Sequence, residues 1–218
     1  EMKIRLAALL ACMALSAPLA AQQFDTISFG VDGGYPPFDV LAPSGEITGF
    51  DIDIANALCT QLKAKCVFVK QPFESMIAAL NAHKFDAIIA SLNITDERKK
   101  EVDFTDRYYR SAAQLVARKG SPLLPDAASL KGKTVGVQTG STHEAFAKAN
   151  WANHGVKIVG YANQDNVYLD LLSGRIDAAL QDNIQAATGF IDTPRGQKFA
   201  FAGPVIQDGG ISSDVGIA

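Results

Sequence analysis

Short apolar runs alternate along the chain with longer segments whose apolar residues return every three or four positions. TISFGV (26–31), CVFVK (66–70) and FDAIIA (85–90) have the length and composition of strands. Between them, GFDIDIANALCTQL (49–62) and FESMIAALNAH (73–83) read as helices. In the first helix Ile54, Leu58 and Leu62 fall on one apolar face, with Asp51 or Asp53 near the start. The second half repeats the scheme. TVGVQ (134–138), VKIVGY (156–161) and RIDAALQ (175–181) read as strands; STHEAFAKAN (141–150), NVYLDLLSG (166–174) and NIQAATGFI (183–191) read as helices. Strand–helix–strand repetition implies parallel pairing, so an α/β fold is predicted.

LNAHKFDAIIA (80–90) also aligns with LLSGRIDAALQ (171–181), which makes Asp86 and Asp177 equivalent. The echo predicts two similar α/β lobes. YYRSAAQLVARKGSP (108–122) separates them, with the crossing near Tyr109–Ala113 and a return through FAGPVIQDGG (201–210). Two crossings make a hinge. The expected organisation is 22–109 for the first lobe, 110–205 for the second, and 206–218 returning to the first.

Composition narrows the class. Of 218 residues 48% are hydrophobic and 20% charged, and the formal charge is −3. Without a basic excess, nucleic-acid binding is not expected. Lys3 and Arg5, then LAALLACMALSA, then PLAAQ have the order of a cleaved secretory leader, 1–21, ending near Ala20 or Ala21. The apolar run is shorter than the roughly 20 residues of a membrane span. Removing Glu1, Lys3 and Arg5 with the leader leaves 18 basic and 22 acidic residues, a formal charge of −4. Cys12 lies in the leader, where LLAC resembles a lipoprotein cleavage site behind a very short apolar run. Cys59 and Cys66 form a C-x6-C pair; in an exported chain a disulfide is the natural reading, free thiols or metal ligands the alternatives. His83, His143 and His154 lack ligand spacing, so neither metal nor cofactor is expected. The ending SSDVGIA is apolar and strand-like, which suggests a truncated frame or fragment.

In open α/β sheets ligands sit beyond the carboxyl ends of the strands. Those ends carry Asp32 and Tyr35, then Phe73, then Ser91, Asn93 and Arg98, then Gln138, Ser141 and Thr142, then Asp182. The set suits a zwitterion. Arg98 supplies a bidentate guanidinium for a carboxylate, and the start of the 141–150 helix adds free N–H groups. Asp182 suits an ammonium, Tyr35 and Phe73 a sandwiched side chain, and Asp32 a distal positive group. Plainer roles compete: Arg98 as a solvated charge, Ser141 and Thr142 as helix caps, Phe73 as core. Gly136-x3-Gly140 before Ser–Thr lacks the ending of a phosphate loop, and no hydrolase triad is visible.

GFDIDIANALC (49–59), YPPF (35–38), SLNITDERKKEVDFT (91–105), LKGKTVGVQTGST (130–142) and QDNVYLDLLSGRIDAALQD (164–182) together resemble the periplasmic amino-acid-binding proteins of ABC importers. Within that polar and basic amino-acid family, the lysine/arginine/ornithine- and histidine-binding branch is the most similar. The resemblance runs from about Phe24 to the end. It implies the two-lobe type II periplasmic-binding fold and the Cys59–Cys66 disulfide of the basic branch. It implies Arg98 and Thr142 on the ligand carboxylate, Ser91 on its main-chain groups and Asp182 on the ammonium. Tyr35 and Phe73 would flank the side chain and Asp32 would receive its basic end. Ala90, Asn93, Gln138 and His143 depart from the branch and leave the side-chain preference open. The family continues some tens of residues beyond Ala218.

The expected partners are a free L-amino acid and the membrane permease of an importer, for a monomer in the periplasm. The expected mechanism is a clamp in which the first lobe captures the ligand and the second closes on it. A cyclic-acid dehydratase on the same fold and a receptor's sensor domain are the alternatives.

Overall fold

The computed structural model describes residues 24–206 and 211–218. The predicted leader, with Cys12, and Gly209 and Gly210 of the predicted return lie outside these residues.

Thr26–Val31 is the centre of a three-stranded parallel sheet, flanked by Lys65–Lys70 and Ala87–Ile88. The Phe50–Leu62 helix packs on one face through Ile52, Ala55 and Cys59, against Phe29, Val31 and Ile89. Met76, Ala79, Phe85 and Ile88 fill the other face. Cys59 and Cys66 are joined in a disulfide that ties this helix to its following strand. A second sheet has five strands, in the order Lys157–Tyr161, Thr134–Gln138, Ala178–Asp182, Ala113–Arg118 and Phe199–Ile206. The first three run parallel and the last two pair antiparallel. Leu115, Val116, Ala117, Ala178, Ala179 and Leu180 are all fully buried. Successive residues of a strand point to opposite faces, so these two strands supply two cores at once. Leu115, Ala178 and Leu180 meet Trp151 on one side; Val116 and Ala179 meet Tyr168, Phe190 and Phe199 on the other.

Tyr109–Arg110 pairs antiparallel with Asp214–Val215, and Ser111 N donates to Ser213 O at 3.0 Å. Two residues later the chain enters the five-stranded sheet at Ala113. The final residues lie on the three-stranded side: Ile88 N donates to Ala218 O, Thr105 N to Ile217 O and Gly216 N to Leu92 O.

The repeat seen between 80–90 and 171–181 has a structural counterpart. Asp86 N donates to Ser28 O, and the Asp86 carboxylate accepts from Ser28 N at 2.8 Å. Asp177 N donates to Thr134 O, and its carboxylate accepts from Thr134 N at 2.8 Å. Each aspartate thus holds a backbone N–H of the strand beside it, at the third residue of Thr26–Val31 and the first of Thr134–Gln138.

Four elements differ from expectation. Ile54, Leu58 and Leu62 do not form the buried face of their helix; Leu58 and Leu62 are 39% and 55% exposed. The inward stripe is Asp51, Ile52, Ala55 and Cys59. Asp51 takes an inward place because its carboxylate has buried partners, described below, and it does not cap the helix, whose N-cap is Gly49. The strand expected over 85–90 is paired only at Ala87–Ile88. The segment 73–83 opens with a 3-10 turn, Phe73–Ser75, before the Met76–Asn81 helix, and His83 at φ 55 lies beyond its end. The helix over 183–191 is α only at Asn183–Ala186 and continues as a π-turn over Ala187–Ile191. There Gly189 lies against Pro36: a Cβ would come within 2.7 Å of the Pro36 carbonyl oxygen.

Candidate functional site

The chain leaves Thr26–Val31 with Asp32 and is turned back by Asp39. The fully buried Asp39 carboxylate accepts from Asp32 N at 3.1 Å and from Gly33 N and Tyr35 N at 3.2 Å each. Three N–H groups on one acid fix the loop that carries Asp32 and Tyr35. Burial pushes Asp39 well above the usual carboxylate range, and neighbouring Asp51 and Asp32 push it further.

Asp51 fixes the next loop in the same way. It accepts from Ser91 N at 2.7 Å, Ser91 Oγ at 3.1 Å and Tyr108 Oη at 2.8 Å. Ser91 has φ 52, a left-handed conformation that is uncommon for a residue with a Cβ. The two bonds that Ser91 donates to Asp51 hold it there. Burial raises Asp51 to about 6 despite these donors.

The two sheets meet across a cleft, and polar side chains bridge it. Gln138 Nε2 donates to Asp32 Oδ2 at 3.1 Å, and Tyr35 Oη donates to Gln181 Oε1 at 3.0 Å. Thr142 Oγ1 donates to Asn93 Oδ1 at 2.9 Å. Arg98 spreads its guanidinium between Asn93 O at 2.8 Å and Gly140 O at 3.1 Å, 5.8 Å above the centre of the Phe73 ring. Gly140 permits this approach: at φ 78, a Cβ there would lie 2.8 Å from the Glu74 Cα. Burial lowers Arg98 to about 10, which leaves it charged at neutral pH.

These bridges enclose a cavity lined by Asp32, Tyr35, Phe73, Ala90, Ser91, Asn93, Gln138, Ser141, His143 and Gln181. Seven of the ten candidate residues therefore meet at one place. Arg98 and Thr142 stand at its edge, bonded to Asn93. Asp182 is outside the lining; it caps the helix that follows, accepting from Ile184 N at 2.9 Å and Gln185 N at 3.0 Å. Burial raises its pKa. Ser141 is also a cap, accepting from Glu144 N at 3.1 Å, while its Oγ donates to Gln138 O at 2.6 Å. Asp32 is raised by burial, with the Gln138 amide and then the Lys70 charge opposing.

Three lining residues, Ala90, His143 and Gln181, were outside the candidate set. Gln181 precedes Asp182, and the strand's alternation turns it toward the cavity when Asp182 turns into its cap. His143 is lowered to about 4, first by burial and then by the Arg98 charge, so it is neutral at pH 7. Among the described residues no three His, Cys, Asp or Glu side chains group to hold a metal ion, and no helix is long and apolar enough to cross a membrane.

Residues 27–189 match the family model described as bacterial extracellular solute-binding proteins, family 3. The chain belongs to this family. Every candidate residue from Asp32 to Asp182 lies inside the matched span. Among curated relatives, the family-3 chain is 48% identical over 184 residues to the lysine/arginine/ornithine-binding periplasmic protein of Escherichia coli (strain K12), covering 84% of this chain and 71% of the relative. It is 43% identical over 208 residues to the histidine-binding periplasmic protein of Salmonella typhimurium, covering 95% and 80%. An ancestral arginine-binding protein solved with arginine superposes with a TM-score of 0.82 at 34% identity, over 90% of this chain and 85% of that one. The fold is that of the type II periplasmic amino-acid-binding proteins, as the resemblance implied.

Proposed function

We propose that this family-3 protein binds a free basic L-amino acid in the periplasm and delivers it to the membrane permease of an ABC importer. The observation that carries the reading is Asp32: a buried carboxylate in the wall of an enclosed cavity, answered across the cleft, among the described residues, by the neutral Gln138 amide. A guanidinium or ammonium in that position would be a stronger partner. The names of the relatives, binders of lysine, arginine, ornithine or histidine, support the same class.

The ligand's other pole falls to Arg98. Its fork now donates to two carbonyl oxygens, and a carboxylate offers the same geometry with a full charge. Thr142 lies at the start of the 142–150 helix, where its N–H and the helix dipole favour an anion. Ser91 and Asn93 serve the main-chain groups, and Tyr35 and Phe73 flank the side chain. Asp182 receives the α-ammonium while keeping its cap, because a carboxylate accepts several hydrogen bonds.

The cavity as closed measures about 10 Å³, the room of roughly one water. An amino acid is admitted only if the walls separate. We assign the hinge to the crossing at Ser111–Ala112, with 22–109 and 110–205 as the lobes and 206–218 rejoining the first. On closure the ligand's charged groups replace Asp32–Gln138 and Arg98–Gly140. Micromolar affinity corresponds to about −8 kcal/mol, within reach of a few desolvated charge-assisted bonds after the cost of closing.

Calorimetric titration with arginine, lysine, ornithine, histidine and glutamine, with an assay for consumption of a cyclic acid, tests the reading. One-to-one binding of a basic amino acid without turnover is expected, and Arg98→Ala should abolish it for every ligand. Turnover of the cyclic acid, or undiminished binding by Arg98→Ala, would overturn it.

A further inference from the structure

The acid of the cavity has a cation behind it. Lys70 ends the Lys65–Lys70 strand in register with Val31, one residue before Asp32. Its stem runs over Gly33: a Cβ built there would lie 3.6 Å from Lys70 Cε and 3.7 Å from Cδ. Lys70, Gly33, Pro72 and Asn163 line a second chamber of about 350 Å³, and Asp32 belongs to both its wall and that of the inner cavity. Asp32 therefore separates the ligand's distal end from the Lys70 side. Among the described residues Lys70 forms no ion pair within 4.0 Å, whereas the chamber's other charged side chain, Asp165, is paired with Arg195. The Lys70 charge favours the ionised form of Asp32.

We propose that Lys70 is a specificity-determining residue: from the outer chamber its ammonium partly offsets the Asp32 charge and reduces the advantage of a cationic side chain over a neutral one of the same shape. This rests on the reading that Asp32 receives the basic end of the ligand. Ligand and lysine never touch; they act on one carboxylate from opposite sides. The protein thereby keeps a smaller preference for arginine over a neutral side chain of the same shape.

The test compares arginine with citrulline, its uncharged isostere, by titration of the full chain at low and high salt. Lys70→Met keeps most of the stem and removes the charge. It should tighten arginine roughly three- to tenfold and leave citrulline unchanged, and the gain should shrink at high salt, as expected for one partly screened charge. Lys70→Arg should keep the wild-type ratio. Asp32→Asn separates the two ideas. If Asp32→Asn collapses the arginine preference while Lys70→Met leaves the ratio unchanged, Lys70 has no such role and the reading of Asp32 stands. If Asp32→Asn leaves the ratio unchanged as well, the reading of Asp32 fails and takes this proposal with it.

Discussion

Asp39 and Asp51 act one step behind the cavity. Neither lines it, yet each gathers three donors from a loop or its support and so sets where Asp32, Tyr35 and Ser91 stand. Both are buried acids, and burial has a consequence for stability. Asp51 is raised from 3.8 to about 6, so between those pH values the native chain keeps a proton that the unfolded chain has released. Its contribution to stability is therefore greatest below pH 3.8 and is lost as pH rises through about 6. Relative to Asp51→Asn, the wild-type unfolding free energy should fall by on the order of 3 kcal/mol between pH 3.8 and neutrality, measured by denaturant titration. A difference that does not change with pH would refute the assignment. At this scale the sequence was partly legible. Asp32, Ser91 and Arg98 stand out because each follows the end of an apolar run. Asp39 and Asp51 do not: Asp39 follows the Pro36–Pro37 pair with no apolar run before it, and Asp51, near a helix start, reads as a cap, with its Ser91 partner 40 residues away.

Among the elements, the turn into the Thr142–Asn150 helix carries the closure. Gly140 is left-handed and faces the Glu74 backbone across the cleft. Gly140→Ala would need the rare φ and would bring a methyl group onto Glu74, so the lobes cannot meet fully. Ligand affinity should drop at least about tenfold, with thermal stability lowered only by the roughly 1 kcal/mol of a left-handed alanine. Solution scattering with saturating arginine should show a variant more open than wild type; an equally compact variant would contradict the role. The disulfide is the opposite case, since Cys59 and Cys66 are remote from the cavity lining. Cys59→Ala with Cys66→Ala should cost about 2 kcal/mol of stability, the low end for a short loop, with the dissociation constant unchanged. Most elements were readable from apolar spacing; in the five-stranded sheet Thr134–Gln138 and Ala178–Asp182 are buried on both faces and read as continuous apolar runs, whereas the edge strand Phe199–Ile206, only partly buried, was read in part as the return crossing. The first helix misled because its inward stripe holds an aspartate, an alanine and a disulfide cysteine, while two leucines face outward. The π-turn at Ala187–Ile191 has no spacing signal at all; within it Gly189 lies against Pro36.

For the molecule as a whole, two sheets joined near Ser111–Ala112 bring the ends of their strands face to face. The alternation of elements and the Asp86–Asp177 echo made that division visible, and the shared family motifs supplied the rest. What spacing could not supply is the pairing across the cleft. Gln138 with Asp32, Thr142 with Asn93 and Tyr35 with Gln181 join residues 106, 49 and 146 positions apart. Those bonds hold the cavity shut, and a ligand that opens it has to offer better ones.

The most direct measurement is a crystal structure with arginine bound. The account predicts its guanidinium on Asp32 in place of the Gln138 amide, its carboxylate in the Arg98 fork and its ammonium on Asp182. Arginine held elsewhere, or Arg98 and Asp182 turned to solvent away from a common pocket, would contradict it.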